Sequence, residues 1–303
     1  MVGKIRRKIL CIVGPTASGK SARAVEEALV RGGEIISVDS RQVYRGLDIG
    51  TEKVSKDEMQ GVPHHLIDIR DINESYSAGD FVTDATRLIA KISSRGKLPI
   101  LVGGTHFYFD ALLNGLPEIA PNPKLRATLE ALPTEELLAK IRETDPRRAA
   151  ELDPANRRRL IRALEIIAAH GSVSPRDLQR RPQKVPVGTN SGYMGTPAYE
   201  VEWVVIQPSN EELRTRINQR EALKFPRGLI EEVRCVREAV GDERLNELGL
   251  EYRIVGEYLR GERSEESLLP ALSAKLWQYA RRQKAWLRKL EITPAALSRL
   301  GRN

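Results

Sequence analysis

One segment of eight residues constrains the fold more than any other part of the sequence. It matches the pattern G-x-x-x-x-G-K-[ST], and its members are Gly14, Pro15, Thr16, Ala17, Ser18, Gly19, Lys20 and Ser21. The apolar run 9–13 precedes it and a helical pattern over 21–31 follows it, which is the strand, loop and helix order that this motif needs. We therefore predict a loop that binds phosphate with its backbone N–H groups, at the end of the first strand of a parallel sheet.

The last two residues of this loop have separate predicted functions. Lys20 is expected to supply a positive charge to a phosphate, and the hydroxyl of Ser21 is placed to ligate Mg²⁺. All eight residues are candidates for phosphate binding. The motif identifies the phosphate groups of a ligand but not a reaction, so the phosphorylated molecule is left open at this point.

The rest of the chain has the pattern of an α/β core with a helical insertion. Short apolar runs alternate with helical patterns through the first third of the chain, which is typical of a parallel sheet with crossover helices. Residues 118–199 are charged and helical, with a favourable helix start at Asp153-Pro154 and a final segment rich in Pro, Gly, Ser and Thr. We predict a P-loop NTPase-like core at 1–117 and 200–303, interrupted by this all-helical unit.

The amino-acid composition limits which cellular compartments and which kinds of partner fit such a protein. No stretch of the 303 residues approaches the roughly 20 consecutive apolar residues of a membrane-spanning helix, so we expect no membrane association. Cys11 and Cys235 indicate neither a disulfide framework nor a thiolate metal site, which favours a reducing cytoplasm. A formal net charge of +8 favours a polyanionic partner, although charge alone does not identify a nucleic acid. Nothing in the sequence requires an oligomer, and we expect a monomer.

Asp39 is the main candidate for a reactive carboxylate. It follows the apolar run 34–38, and the carboxyl ends of the strands in an open parallel sheet form the ligand crevice, so it should face the phosphate loop. Two functions fit such a carboxylate: binding of Mg²⁺ through water, or acceptance of a proton from an attacking group. A third interpretation is structural, since Asp39 and Ser40 are residue types that cap turns.

The motifs that follow the phosphate loop identify a family. They are D-S-R-Q-V-Y-R-G-L-D-I-G-T at 39–51, P-H-H-L-I-D at 63–68, Y-S-A-G-D-F at 76–81 and G-G-T-H-F-Y at 103–108. Together with the loop, these five motifs in this order resemble those of the tRNA dimethylallyltransferases. The resemblance continues through R-R-L-I-R-A-L-E at 158–165 and, more loosely, to Y-A-R-R-Q at 279–283.

The resemblance implies a prenyl transfer. Members of this family move the dimethylallyl group of dimethylallyl diphosphate to N6 of the adenosine that is 3′ of the anticodon in tRNA. Asp39 is then implied to be the catalytic base, and Thr105 to reach the diphosphate or the reacting centre. Arg216 and Arg220 match basic positions of the family, and they are implied to cover the diphosphate. Local functions stay open as well, with Thr105 as a helix N-cap and the two arginines as exposed charges.

The resemblance also implies contacts with the anticodon stem-loop. An adenosine in a stacked loop must be flipped out before its amino group can react, and Gln42 is placed to read the flipped base. The residues implied to contact tRNA are Asp39, Ser40, Arg41, Gln42, Thr105, Arg126, Arg158, Arg159, Arg162 and Arg253. For the arginines of the helical unit, a solvated helix face is the alternative to RNA contact.

The sequence also departs from the family pattern, and two other functions stay open. Residues 250–253 read L-E-Y-R where members usually carry I-G-Y-[KR], and Ala285 replaces a common Thr, which puts the late RNA contacts in doubt, Arg253 included. A small-molecule kinase would use Asp39 to position Mg²⁺ or its acceptor, and the helical unit as a lid over ATP. An RNA-binding protein that uses the loop only as a nucleotide switch would leave Asp39 and Thr105 without a function.

Overall fold

The computed structural model describes residues 7–116, 122–154, 156–171, 199–288 and 290. These residues fall into two compact units, one within 1–115 and 184–303 and the other within 116–183. Within the described ranges, the first unit carries the β-strands and the second unit is helical. The predicted limits of the insertion lie beside or among residues outside this description, as does most of the Pro-rich and Gly-rich segment before residue 199, so those limits stay predictions.

Among the described residues of the first unit, five parallel strands form one sheet. They are β1 (Arg7–Val13), β2 (Gly33–Ser37), β3 (His64–His65), β4 (Leu98–Gly103) and β5 (Tyr199–Val205). Their order across the sheet is β3-β2-β4-β1-β5, and every neighbouring pair is parallel. The strand that leads into the phosphate loop, β1, therefore lies between β4 and β5. This parallel sheet with its helices confirms the predicted fold class.

Helices connect and cover the strands of the first unit. They are α1 (Lys20–Arg31), α2 (Lys56–Met59), α3 (Ala78–Ser94), α4 (His106–Asn114), α9 (Asn210–Lys224), α10 (Leu229–Glu247), α11 (Leu250–Leu259) and α12 (Leu268–Leu287). α10 is interrupted at Gly241, where φ is 73° and ψ is 173°. None of the helices in the described ranges has the length and apolar character that a bilayer span requires.

The side chains of β1 alternate between two apolar cores. Ile9, Cys11 and Val13 join a core that includes residues of α3 and α4. Leu10 and Ile12 lie on the opposite face, in a core that includes residues of α1. The alternation follows from the pleat of a strand, and burial on both faces explains why residues 9–13 of β1 are all apolar.

The described part of the second unit contains four helices around a core of its own. They are α5 (Pro123–Ala131), α6 (Thr134–Thr144), α7 (Pro146–Glu151) and α8 (Arg157–His170). Their buried apolar residues are Leu129, Leu137, Leu138, Ile141, Leu152, Leu160, Ile161, Ala163, Leu164, Ile166 and Ile167. The guanidinium of Arg157 donates to the carbonyl oxygen of Glu130 at 2.6 Å and to Thr134 Oγ1 at 3.3 Å, which holds the start of α8 against the link between α5 and α6.

Two local features differ from the sequence-based expectation. The helix expected to start at Asp153-Pro154 starts instead at Arg157. The side chain of Asn156 accepts a hydrogen bond from the backbone N–H of Arg159 at 3.2 Å and caps the helix there. The sequence also does not predict β3, because a strand of two histidines has no apolar alternation to reveal it.

Candidate active site

The phosphate loop spans the end of β1 and the start of α1. Its backbone turns through the left-handed region at Ala17, where φ is 61°, and at Gly19, where φ is 86°. A Cβ atom at Gly14 would lie 2.5 Å from Ser18 Oγ and 2.8 Å from the carbonyl oxygen of Ile206. Only glycine therefore lets the loop pass this close to the end of β5.

The ammonium group of Lys20 lies among other charged groups. Its Nζ donates to the carbonyl oxygen of Pro15, within the loop, at 3.4 Å. The pKa of Lys20 is lowered to about 8, mainly by burial and then by the positive charge of Arg220, against the opposing effect of the Asp39 carboxylate. Side chains from α1, from α9 and from the end of β2 thus share one site.

Two arginines of α9 also reach the phosphate loop. Arg216 Nη1 donates to the carbonyl oxygen of Ser18 at 3.2 Å, and Arg220 Nη2 donates to Thr16 Oγ1 at 2.9 Å. The two arginines are four positions apart and therefore lie on one face of the helix. With Lys20 they place three positive charges around the loop, an arrangement suited to a polyphosphate.

Behind Arg220 lies a group of buried charges that the sequence motifs do not identify. Glu221 Oε1 accepts from Arg220 Nε at 3.3 Å, and Glu221 Oε2 lies 3.0 Å from Lys224 Nζ. Lys224 Nζ also donates to Glu251 Oε1 at 3.0 Å and to the carbonyl oxygen of Gly50 at 3.1 Å. Glu221 and Lys224 are fully buried, so each charge requires the other. Glu251, which departs from the family pattern, adds a second carboxylate for Lys224.

Asp39 uses one carboxylate oxygen to shape its own turn. Its Oδ1 accepts from the backbone N–H groups of Arg41 at 2.8 Å and of Gln42 at 3.3 Å, so the structural interpretation of Asp39 is confirmed. Its Oδ2 has no hydrogen-bond partner among the residues that the structure describes, and it can receive a proton. Ser40 and Arg41, which are implied to contact tRNA, lie in the same turn.

Thr105 connects the ends of β2 and β4. Its Oγ1 accepts from the backbone N–H of Ser40 at 3.2 Å, and its own N–H donates to the carbonyl oxygen of Val38 at 3.2 Å. Thr105 stands at the N-cap position of α4, but its side chain makes no capping hydrogen bond there. A Cβ at Gly103 would lie 2.1 Å from the carbonyl oxygen of Val38, so glycine is required for this close approach.

The amide group of Gln42 is bound by the protein itself. Its Nε2 donates to the carbonyl oxygens of Thr51 at 3.2 Å and of Glu52 at 3.1 Å, and its Oε1 accepts from Ser37 Oγ at 3.1 Å. Both N–H donors of the amide are therefore used, and only the oxygen keeps a lone pair. The reading of a flipped base by Gln42 stays a prediction, whereas its hold on the loop at 51–52 is observed.

Two residues of α12 belong to the site although no sequence motif identifies a function for them. Gln283 Oε1 accepts from the backbone N–H of Thr16 at 2.8 Å, and Gln283 Nε2 donates to the carbonyl oxygen of Gly104 at 2.9 Å. Tyr279 OH donates to the same carbonyl oxygen at 3.2 Å. The signal in the sequence is the loosely matched segment 279–283, which does not reveal these partners.

One turn further along α12, Trp286 stacks on His106. Their ring centroids are 4.1 Å apart with an angle of 17° between the planes, and Trp286 Nε1 donates to Asp110 Oδ2 at 3.0 Å. The pKa of His106 is lowered to about 3, mainly by burial and also by the charge of Lys20. His106 is therefore neutral at physiological pH and adds no charge to the three cations around the loop.

The arginines that are implied to bind RNA have different environments. In the second unit, Arg126 and Arg162 both pair with Glu165, at 2.8 Å and 2.9 Å. Arg126 on α5, Arg158 and Arg159 on α8 and Arg253 on α11 are exposed, and Arg162 on α8 is half-buried. Their contacts with RNA stay predictions, and the pairing with Glu165 gives Arg126 and Arg162 a structural function as well.

The phosphate loop offers few protein ligands for a metal ion, which suits a magnesium ion whose other ligands are phosphate oxygens. No group of three His, Cys, Asp or Glu residues gathers as metal ligands within the described ranges. Ser21 supplies a hydroxyl oxygen from the first turn of α1. Mg²⁺ prefers oxygen ligands and usually binds through few protein groups together with substrate phosphates. The residues present therefore fit magnesium bound with a diphosphate.

The chain is similar to known proteins over nearly its whole length. The sequence model described as IPP transferase matches residues 42–290. A protein of Thermomicrobium roseum named tRNA dimethylallyltransferase is 40% identical over 293 residues, which cover 94% of this chain and 85% of that protein. A protein of the same name from Streptococcus sanguinis is 39% identical over 295 residues, which cover 95% of this chain and 92% of that protein.

Solved structures share the fold as well. The full-length tRNA isopentenylpyrophosphate transferase of Bacillus halodurans matches with a TM-score of 0.67 at 37% identity, and the match covers 93% of this chain and 87% of that one. A eukaryotic dimethylallyltransferase, solved in crystallographic snapshots of its action on tRNA, matches with a TM-score of 0.75 at 27% identity. That match covers 93% of this chain and 70% of the eukaryotic chain.

Proposed function

This chain belongs to the IPP transferase family, and from this membership we propose that it transfers the dimethylallyl group of dimethylallyl diphosphate to N6 of the adenosine 3′ of the anticodon in tRNA. It is a prenyl transferase that modifies tRNA. The observation that carries the proposal is that a positively charged phosphate loop meets Asp39 and Thr105 at one edge of the sheet. A reaction between a diphosphate ester and a nucleophile that loses a proton needs a phosphate-binding loop and a base side by side.

The proposed reaction is a substitution at an allylic carbon. The lone pair of N6 forms a bond to C1 of the dimethylallyl group, while the bond from C1 to the diphosphate oxygen breaks and its electron pair leaves with diphosphate. The amino group loses a proton, which Asp39 Oδ2 accepts. Because two backbone N–H groups hold Asp39 Oδ1, the carboxylate is oriented before the substrates bind.

The leaving diphosphate is the group that the site stabilises most. Negative charge accumulates on it as the carbon–oxygen bond breaks, and Lys20, Arg216 and Arg220 lie where they can balance that charge. Thr105 Oγ1 accepts from Ser40, so the hydroxyl hydrogen of Thr105 is left to donate to a substrate oxygen. We assign that hydrogen bond to the oxygen that joins C1 to the diphosphate.

Magnesium is part of this proposal. Ser21 Oγ would hold the ion next to the diphosphate, together with oxygen atoms of the diphosphate itself. With the ion held there, its positive charge would help to stabilise the negative charge of the leaving diphosphate. Lys20 and the loop N–H groups bind the remaining phosphate oxygens, so the chain orients the donor with its own residues.

The acceptor is the anticodon stem-loop of a tRNA. Its adenosine must leave the base stack to reach Asp39, and exposed arginines such as Arg158 and Arg159 bind the RNA backbone in this proposal. Gln42 contacts the flipped base through the oxygen of its amide, which keeps one lone pair. We also propose that the protein acts as a monomer in the cytoplasm.

A transfer assay with a labelled donor tests the proposed function. Purified protein is incubated with magnesium, radiolabelled dimethylallyl diphosphate and an anticodon stem-loop, and label in the RNA is measured. We expect transfer by the wild type and a rate lower by about 10²- to 10⁴-fold in Asp39→Asn, which keeps the shape but not the base. Asp57→Asn, at an exposed position of α2, is the matched control and should retain the wild-type rate.

A parallel reaction with ATP separates the competing interpretation. If the wild type leaves the RNA unlabelled and instead transfers phosphate from ATP to an acceptor, the chain is a phosphotransferase and the proposal is wrong. If Asp39→Asn transfers label as fast as the wild type, the prenyl transfer stands but Asp39 is not its base.

A further inference from the structure

The amide of Gln283 joins the two halves of the site. On one side, its Oε1 accepts from the backbone N–H of Thr16, in the phosphate loop, at 2.8 Å. On the other side, its Nε2 donates at 2.9 Å to the carbonyl oxygen of Gly104, which directly precedes Thr105. One side chain thus connects the loop assigned to the diphosphate with the strand end assigned to the reacting centre.

The surroundings of Gln283 indicate that its amide contributes through hydrogen bonds as well as through packing. The residue is 3% exposed, and its two partners are 267 and 179 positions away in the sequence. A Cβ atom at Gly104 would lie 2.5 Å from Gln283 Nε2, so the glycine leaves room for the amide. A hydrocarbon side chain of the same size would fill this space as well, but it could not hold either partner.

Other side chains reinforce each end of this bridge separately. Arg220 Nη2 donates to Thr16 Oγ1 at 2.9 Å, and Tyr279 OH donates to the carbonyl oxygen of Gly104 at 3.2 Å. Within the described ranges, Gln283 is the side chain that hydrogen-bonds to both ends. The separation between the loop and the strand end therefore depends on its amide more than on its neighbours.

We propose that Gln283 is a positioning residue that sets the distance between the bound diphosphate ester and the attacking nitrogen. This inference rests on the proposed prenyl transfer. Reaction needs N6 about 3–3.5 Å from C1 and in line with the breaking bond, and a misplacement of about 1 Å can lower the rate about 100-fold. Loss of the bridge lowers kcat, while each substrate still binds to its own half of the site.

Gln283→Met tests the proposal, because methionine keeps the length of the side chain and removes both hydrogen bonds. We expect kcat to fall about 10- to 100-fold, with the KM values for dimethylallyl diphosphate and for the stem-loop within about threefold of the wild type. Gln278→Met, an exposed position of the same helix, is the matched control and should leave both constants unchanged. Circular dichroism at the assay temperature verifies that each variant is folded.

Gln283→Glu supplies a readout that packing alone would not change. An ionised carboxylate still accepts from Thr16 N–H but cannot donate to the carbonyl oxygen of Gly104, whereas a protonated carboxyl group does both. The ratio of the kcat of Gln283→Glu to that of the wild type should therefore rise as the pH is lowered from about 8 to about 5. The same ratio for Gln283→Met should stay flat, because methionine adds no titratable group and the remaining groups are common to the variants and the wild type.

The outcomes separate the inference from the function on which it rests. An unlabelled stem-loop with the wild type overturns the prenyl transfer itself. Wild-type transfer with an unchanged kcat in Gln283→Met, or with a loss that lies only in one KM, overturns the positioning function. A reduced kcat in Gln283→Met together with a pH-dependent recovery in Gln283→Glu supports it.

Discussion

The two carboxylate oxygens of Asp39 have different environments. Oδ1 accepts hydrogen bonds from two backbone N–H groups and stabilises the turn after β2. In the proposed reaction, Oδ2 contacts the substrate. The structural and catalytic interpretations of this residue are therefore compatible, and the first supports the second. A base whose direction is fixed before binding needs less reorganisation during the reaction.

The pKa of Lys20 predicts how donor binding depends on pH. Its folded-state pKa is lowered to about 8, so the positive charge is present below that value and is lost as the pH rises through it. Loss of this charge weakens the attraction between the phosphate loop and the diphosphate. We expect kcat/KM for dimethylallyl diphosphate to fall by up to about tenfold per pH unit above about pH 8.

Initial rates at low donor concentration, measured from pH 6 to pH 10, give this profile. Bound diphosphate favours the charged lysine, so kcat should decline only at a higher pH than kcat/KM. Lys20→Met, which has no charge to lose, is the control and should lack the decline. A wild-type profile that stays flat to pH 10 would contradict a function of the Lys20 charge in donor binding.

The sequence predicts the site residues that lie in contiguous motifs and misses those that do not. The phosphate loop and Asp39 are recognisable because their neighbours along the chain define a strand, a turn and a helix. Arg216 and Arg220 can be proposed only from the family pattern, because no local signal shows which face of α9 meets the loop. Gln283 is missed since its partner Thr16 is 267 positions away.

The segment from Leu47 to Thr51 is held by a side chain of a distant helix. Glu232, on α10, accepts from the backbone N–H groups of Asp48 and Ile49 at 2.9 Å and 2.6 Å, and from that of Gly50 at 2.9 Å. Tyr252 OH, on α11, donates to the same carboxylate at 2.7 Å. Because Gln42 donates to carbonyl oxygens at 51–52, α10 and α11 support the loop on which Gln42 depends.

Glu232→Ala should therefore destabilise the fold. Three N–H groups and one hydroxyl lose a charged acceptor, and we expect the free energy of unfolding to fall by about 2–4 kcal/mol. Thermal unfolding followed by circular dichroism measures the change. Glu231→Ala, one position earlier, removes an exposed ion pair with Arg234 at 3.2 Å and a weak hydrogen bond from Cys235 Sγ at 3.7 Å, and it should cost less than about 1 kcal/mol. Equal melting temperatures for the two variants would contradict the assigned function of Glu232.

Secondary structure was predictable where burial leaves a clear pattern. β1, β2 and β4 are buried runs in which apolar residues predominate, because strands inside a parallel sheet are covered on both faces. β5 lies at the edge of the sheet and is mostly half-buried, with Glu200 and Glu202 among its apolar residues. β3 has two residues and no such pattern, and its pairing with β2 comes from the fold around it. The start of α8 shifts from Asp153-Pro154 to Arg157 because Asp153 and Asn156, three positions apart, could both cap the helix, and the choice of Asn156 depends on the packed structure.

Each of the two units has an apolar core made of its own residues. The core of the helical unit contains residues between Leu129 and Ile167, and the cores on the two faces of the sheet contain none of them. Stability can therefore differ between the units, and a change in one core should act first on the amides of that unit.

Leu160→Ala tests this separation of the two cores. Leu160 is fully buried, and its truncation should cost about 2–5 kcal/mol. In hydrogen exchange we expect faster exchange for amides of α5 to α8 and unchanged exchange for those of β1 to β5. Leu10→Ala, in the sheet, should give the opposite pattern. Uniform acceleration in either variant would show that the two units unfold as one.

The pairing of β5 with β1 has a consequence for how the chain folds during its synthesis. All seven residue pairs between these strands, from Arg7 with Tyr199 to Val13 with Val205, join positions 192 residues apart. A ribosome that adds about 5–20 residues per second needs about 10–40 s to make the intervening chain. During that time, the edge of β1 that pairs with β5 in the folded protein has no partner strand. The helical unit is synthesised before β5 can complete the sheet. The arginines of α9 and Gln283 are synthesised later still. The nascent chain therefore contains the phosphate loop long before its active site can be complete.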